Sequence, residues 1–326
     1  MASPRLISCV LALATVTLAS CSAPPPLTGG EPKVSGVADG QGTVSGGGDP
    51  TASSSPSASG LSPEAYKGEF GTRHDTMLAA IKAMADARNV QVLNQRVDKA
   101  EQALSGAADA LSALTPPESV RSQHEAYVTS LRDFAAELGS TAGKVGSREL
   151  CTSSAVLTDL GDQLSALDQA GEALQSAGDV PADVVTVKAG SKQSRRLKNG
   201  AFIRKSSLGG RSSLEIDNGG TRDAVVTVMK GGSKAFSVYV RKRAKFKIRG
   251  VRDGTYKIYF THGVDWDGRK KSFTRDCSFE RFQKSVKFKT TVTATQILWH
   301  DWRITLHAIS GGNARTSPVN PDDFPS

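Results

Sequence analysis

The sequence is short of cysteine and aromatics, lacks the short motifs that mark common catalytic sites, and has no long apolar run beyond its first twenty residues. Four Cys and three Trp occur in 326 residues, and Phe, Trp and Tyr together make up 6% of the chain. No segment after the N-terminal region is apolar over the roughly 20 residues that a membrane-crossing helix needs. There is no Gly-x-Ser-x-Gly, no His-Glu-x-x-His and no phosphate loop, so the familiar signatures of acyl transfer, zinc proteolysis and nucleotide binding are absent. His74 and His124 do not stand in the Glu-x-x-His spacing of a dimetal carboxylate bundle, and Glu69 and Glu125 do not supply it. His124 falls on an apolar stripe and reads as a hydrogen-bonded core histidine. No catalytic residue, metal ligand or cofactor is expected.

Charge is plentiful and unevenly spread. The formal net charge is +9. Residues 183–326 hold 29 Lys/Arg against 12 Asp/Glu, a net +17, whereas the remainder holds 12 against 20. A mildly acidic half joined to a strongly basic one implies an anionic partner for the basic half, such as lipid head groups or a wall polymer. Nucleic acid is not the expected partner.

The N-terminus carries an address. Arg5 gives a short positive region, and Leu6 to Leu18 form an apolar stretch of about a dozen residues, too short to span a bilayer. Leu18, Ala19 and Ser20 then precede Cys21. This pattern resembles the lipobox of bacterial lipoproteins. The resemblance implies cleavage of residues 1–20 as a signal peptide, diacylglyceryl transfer to the Cys21 sulfur and location on the outer face of the cytoplasmic membrane. Two acyl chains suffice for stable anchoring where one does not, at about 0.8 kcal/mol per buried methylene. Residues 21–61 are rich in Pro, Gly, Ser and Thr, too poor in apolar side chains to offset their ordering entropy. They read as a lipidated N-terminus and disordered tether. Lipid followed by such a tether is similar to surface lipoproteins of high-GC Gram-positive bacteria.

From residue 62 the periodicity is helical. Ser62-Pro63-Glu64 is a helix start. Four apolar stripes follow: Tyr66 to Met84, Leu93 to Leu114, Val120 to Leu138, and Leu150 to Leu174. Gly139, Gly143 and Gly146 are expected to end the third. The spacing predicts an antiparallel four-helix bundle over 62–178. Residues 179–199 read as a basic linker. From 200 to 310 the period drops to two, with turn signals every eight to twelve residues, which predicts an all-β sandwich. Gly254-Thr255-Tyr256 after a short turn, leading into an alternating strand, is similar to prealbumin-like and carboxypeptidase-regulatory-like sandwiches. Residues 311–326 read as a loose tail. The fold class is therefore α+β in two modules, a helical bundle followed by a β-sandwich.

Three features stand out as candidate sites. Arg241, Arg243, Lys245, Lys247 and Arg249 occupy alternate positions, which strand geometry places on one face about 7 Å apart. The alternative is an edge strand kept soluble by charge. Lys188, Lys192, Arg195, Arg196, Lys198, Arg204 and Lys205 precede this row with no intervening acid. Trp266 stands between Asp265 and Asp267 just before Gly268. On an exposed loop it would suit a sugar ring, although core packing is the commoner role for Trp. Once Cys9 leaves with the signal and Cys21 is acylated, Cys151 and Cys277 remain, one in each module. They form either a bridge clamping the modules together or two buried thiols.

The expected function is a membrane-anchored, non-catalytic binding or structural protein whose basic β face contacts anionic lipid or cell-wall polymer. A carbohydrate-binding role through Trp266 is the alternative, and a cell-wall hydrolase ranks third.

Overall fold

A computed structural model describes residues 60–206, 208–307 and 314–325. The lipobox residues Leu18, Ala19, Ser20 and Cys21 and the tether up to residue 59 lie outside the described residues. The chain is α+β, with five helices in its N-terminal part and a C-terminal part rich in antiparallel sheet.

The helices are α1 (Pro63–Ala85), α2 (Val90–Ser112), α3 (Arg121–Gly146), α4 (Ser153–Asp159) and α5 (Gly161–Gly178). The starts of α1, α2 and α4 are capped by side chains that satisfy otherwise orphaned amides. Ser62 Oγ accepts from the Ala65 amide at 3.3 Å, Asn89 Oδ1 from Val92 at 2.8 Å and Thr152 Oγ1 from Ala155 at 3.3 Å. The stripe residues Tyr66, Phe70, Leu93, Leu104, Tyr127, Phe134, Leu164 and Leu174 share one buried cluster. Two expectations change here. The third helix continues through Gly139 and Gly143 to Gly146. Each glycine weakens a helix by about 1 kcal/mol, which the burial of Leu138, Thr141 and Val145 around them outweighs. The fourth stripe is two helices meeting at Leu160, and Leu150 lies outside them on a β-bridge to Arg275.

The strands are β1 (Phe202–Lys205), β2 (Leu208–Asn218), β3 (Asp223–Lys230), β4 (Ser233–Val240), β5 (Ala244–Val251), β6 (Gly254–Asp267), β7 (Ser272–Phe282), β8 (Val286–Phe288), β9 (Thr290–Val292), β10 (Ile297–Trp299), β11 (Trp302–Thr305) and β12 (Thr316–Pro318). A seven-stranded sheet runs β1-β4-β3-β6-β7-β12, with β8 also paired to β6. A three-stranded sheet runs β11-β2-β5, β11 lying parallel to β2, and β9 and β10 make a separate hairpin. Val226, Val228, Phe236, Val238, Ile258 and Phe260 of the large sheet share a core with Leu214, Ile216, Ile248 and Ile304 of the small one. Val225, Tyr239, Trp266 and Phe273 form a second cluster that includes Cys151 and Cys277. The period-two pattern of β3 thus hides apolar side chains on both faces because each face has its own core.

The helical part meets the sheet along the edge of β7. Cys151 N donates to Thr274 O at 2.9 Å, Asp276 N to Glu149 O at 3.0 Å and Cys277 N to Arg148 O at 3.0 Å. Beside this ladder Cys151 and Cys277 form a disulfide, their Cα atoms 6.4 Å apart. The rest of the β7 edge is covered by β12, with Pro318 opposite Glu280 and Thr316 opposite Phe282. The loose-tail expectation is accordingly corrected for residues 314–325. Beyond β12, Asn320 caps a 3₁₀ turn over Pro321–Asp323, and Phe324 is buried against the rings of Tyr259 and Phe279. Apolar contact and strand pairing hold a segment whose composition reads as unstructured.

The described residues fall in one compact unit. Among the described residues no helix is long and apolar enough to cross a membrane.

The bridge closes a sequence separation of 126 residues, which restricts the unfolded chain. Replacing both cysteines with Ser is expected to cost about 2–4 kcal/mol, because the neighbouring backbone ladder persists. Denaturant unfolding of the oxidised protein and the double variant measures this, and thiol titration of the denatured, unreduced protein should find Cys151 and Cys277 unreactive.

Candidate anionic-surface interface

The alternating basic row divides in two. On β5, Phe246 and Ile248 turn toward the shared core while Lys245, Lys247 and Arg249 stay exposed. Arg241 and Arg243 precede the strand and lie in the turn after β4, so they do not continue its outer row. Arg243 has a φ of +55°, a conformation that breaks strand alternation. Arg241 is tied inward, its Nε donating to Leu197 O at 2.8 Å. The five-residue single face expected from the sequence is thus corrected to three strand residues.

Two of the three face acids on the next strand, and Arg249 faces Ser213. Glu215 and Asp217 of β2 stand opposite Lys247 and Lys245. Lys245 Nζ lies 3.2 Å from Asp217 and Arg303 of β11 lies 2.8 Å from the same carboxylate. Arg303 also approaches Glu215 at 3.5 Å. Burial raises the pKa of Asp217, but hydrogen bonds from Arg303 and Lys245 outweigh it and leave the carboxyl below its usual value. Across β11, β2 and β5 the surface is banded, positive, negative, positive. Exposed pairs of this kind contribute little stability, typically about 0–1 kcal/mol. Among the described residues Lys247 and Arg249 take part in no ion pair within 4.0 Å, so their charge remains available to a partner.

The basic linker expected over 179–199 is anchored at its start and through two of its arginines, while residues 188–196 stay exposed. Val180, Ala182 and Val184 are buried in the helical core. Arg195 and Arg196 are consumed by internal carboxylates. Asp223 accepts two bonds from Arg196 at 2.6 Å, one from the Lys242 amide at 2.8 Å and one from the Tyr239 hydroxyl. Asp265 accepts from the Arg195 amide at 2.8 Å, from its guanidinium at 2.9 and 2.7 Å, and from Thr274 Oγ1 at 2.8 Å. Burial alone would raise the Asp265 pKa, but these bonds bring it down to about 2. The same contest holds Asp223 below its usual range. Sequence reading missed both sites. The available signal was an isolated acid at each place, in apolar strand sequence, with two adjacent arginines elsewhere to match them.

Trp266 is 4% exposed and packs edge-on against Tyr239 and Phe273. Its backbone amide donates to Arg195 O at 2.9 Å. The sugar-contact role expected for an exposed Trp266 loop is therefore withdrawn: the residue stands on β6 within the second core. Its neighbour Asp265 is fully engaged by Arg195 and Thr274, while Asp267 Oδ1 accepts from the Arg269 and Lys270 amides.

Two clefts remain. One of about 260 Å³ runs over the large sheet between Ile203, Thr227 and Phe279, with Arg204 and Lys271 beside it and Phe324 closing one side. Another of about 340 Å³ lies between α4 and the 188–195 segment, lined by Ser154, Thr158, Lys188 and Asp267. In the second, the Thr274 hydroxyl donates at 2.8 Å to Asp265, a carboxylate already paired with Arg195. A serine–histidine pair does exist, Ser278 Oγ standing 3.4 Å from His262 Nδ1, but it lines neither cleft and no carboxylate orients the ring. His124 is buried and bonded to the Tyr66 hydroxyl at 2.8 Å, a core contact, and His74 reaches Asp183 O at 3.0 Å. Among the described residues no group of three or more His, Cys, Asp or Glu is placed to hold a metal.

Comparison with protein-family models, curated proteins and solved structures finds no match for this chain.

Two stability predictions arise from these buried groups. Asp223→Ala leaves Tyr239, Arg196 and the Lys242 amide without their acceptor and is expected to destabilise by about 2–4 kcal/mol. The lower end is favoured because the Arg196 side chain is 37% exposed, and urea titration provides the value. Burial lowers the His262 pKa from 6.5 to about 4, and Arg222 adds to the shift. The unfolded chain then takes up a proton before the folded one does. Stability should fall as pH drops from 6.5 toward 4, by roughly 3 kcal/mol in total. His262→Gln should flatten that limb of a stability–pH curve.

Proposed function

We propose that this chain is an exported lipoprotein, acylated at Cys21 and held on the outer face of the cytoplasmic membrane. Its helices act as an antiparallel bundle and its two packed sheets as a sandwich, together serving as a non-catalytic scaffold that contacts anionic lipid or wall polymer. The observation that carries the reading is the outer row of β5. Lys245, Lys247 and Arg249 remain exposed while Phe246 and Ile248 anchor the strand from beneath. A row of cations fixed to a rigid strand meets an extended anionic surface without first being ordered, so little entropy is lost on contact. Internal pairing of Arg195 and Arg196 lowers the charge that the 179–199 segment offers a partner, while Lys188, Lys192 and Lys198 stay exposed there and add to the basic surface.

The test has two parts. Cys21→Ala should move the protein out of the membrane fraction or stall its processing, and unchanged fractionation would remove the anchor from the proposal. In that unlipidated background, replacing Lys247 and Arg249 with Ser should weaken low-salt binding to anionic vesicles or teichoic acid. At about 1 kcal/mol per basic side chain near an anionic surface, the loss is expected to be roughly thirtyfold. Equal binding by the variant would assign the row to solubility alone.

A further inference from the structure

Both cores account for nearly all the large apolar side chains of the sheet region, but five are left outside. Val292 is 72% exposed, Leu298 51%, Trp299 48%, Trp302 40% and Ile297 37%. Four of them sit on the β9–β10 hairpin, and Trp302 opens the strand that follows. The register places Ile297 opposite Val292 and Trp299 opposite Thr290, so Val292, Ile297 and Trp299 share one face. Leu298 points to the other face, opposite Thr291. The hairpin is therefore a fin with apolar side chains on both sides and no core beneath either.

A two-stranded hairpin with three residues per strand is marginal by itself in water. This one is held at its root and its turn. The Asp253 carboxylate accepts from the Thr290 amide at 2.7 Å and from its hydroxyl at 2.8 Å, and Trp302 Nε1 donates to Lys287 O at 2.9 Å. At the turn, the Thr293 amide donates to Gln296 O at 2.9 Å and the Gln296 amide to Thr293 Oγ1 at 3.1 Å. The fold thus presents the apolar fin in one conformation. Acids stand at its root, Asp253 on Thr290 and Asp301 before Trp302, while the segment that forms the fin is flanked by lysines. Residues 283–300 include Lys284, Lys287 and Lys289 and no carboxylate side chain, and all three lysines are exposed.

We propose that the β9–β10 hairpin inserts into the interfacial layer of an anionic lipid bilayer, with Trp299 and Leu298 entering and Lys284, Lys287 and Lys289 resting on the head groups. The proposal rests on the anionic-surface reading above and narrows it to lipid. Three features select that occupant. A flat protein partner or a hydrophilic polymer covers at most one side of a fin, whereas a lipid interface surrounds both. Three residues per strand reach about 10 Å, the 5–10 Å depth at which interfacial apolar groups settle. Trp beside Lys is the pairing that suits the boundary, the indole lying at the head-group level and the ammonium reaching phosphate.

The indoles supply their own readout. Trp266 is buried in the protein, so lipid quenching reports on Trp299 and Trp302. The full chain carrying Cys21→Ala is mixed with vesicles of phosphatidylglycerol and phosphatidylcholine, with and without bromine on the acyl chains. A blue shift and bromolipid quenching are expected. Leu298→Ser with Trp299→Ser should weaken vesicle binding about tenfold or more, given the loss of two interfacial anchors. Trp299→Leu should retain binding while losing part of the quenching. Thermal melts that match the parent show that the variants fold, as side chains outside both cores allow. Vesicle binding without quenching would overturn the insertion and leave the charge-only reading standing. Absence of binding to both vesicles and teichoic acid would overturn both. A concentration-dependent dimer with the same blue shift and no vesicles would make a second copy the occupant and reject the lipid.

Discussion

The rest of the structure depends on a sheet that is apolar on both faces. In β3, Val226 and Val228 turn to one core while Val225 turns to the other. A sheet of this kind needs a cover on each side, since exposed apolar strand surface is both unfavourable and prone to edge pairing. The three-stranded sheet supplies one cover. The segment around Cys151, joined to β7 by backbone bonds and a disulfide, contributes to the other. The β7 edge that such a sheet would leave open is shared between residues 148–151 and β12. Two segments of irregular composition thus serve as sheet edges because the sheet requires them there.

Electrostatics are settled by the same arrangement. A carboxylate cannot be buried in a sheet interior without compensation, because its desolvation costs several kcal/mol. Asp223 and Asp265 each solve this with an arginine and with amide and hydroxyl donors. The two arginines are adjacent in sequence, so a single extended segment serves both acids. That segment is tied to the sheet at Arg195 and Arg196 as a result. The long-range charge asymmetry of the chain survives, and β5 and the lysines near the β9–β10 hairpin are among the positions that express it.

The parts legible in the sequence were those governed by periodicity. Helical stripes located α1, α2, α3 and the pair α4–α5, and alternation located the strands from Val225 to Phe288. Other features depended on partners far away in sequence. Trp266 between two aspartates looks like a loop in isolation, and only the 70-residue reach of Arg195 to Asp265 shows it to be a core strand. Arg241 and Arg243 alternate with the β5 residues in sequence, but the turn that separates them from the strand is set by backbone conformation at Arg243. Phe324 looked like part of a tail because the rings that bury it, Tyr259 and Phe279, are remote.

Two kinds of surface therefore remain for a partner, and they act over different distances. Charge is felt over about 8–10 Å at physiological ionic strength, so Lys247, Arg249 and the lysines flanking the hairpin orient the protein before contact. Apolar insertion acts only at contact, through area removed from water. A lipid tether as proposed at Cys21 would keep the protein close to a bilayer but leave its orientation free. Charge then selects the face that approaches, and the fin acts only after that face has arrived. Under this division the tether determines residence, the cations determine orientation and the hairpin determines depth. The cations and the hairpin side chains can each be replaced without disturbing either core, because none of them belongs to the packing that holds the sheets.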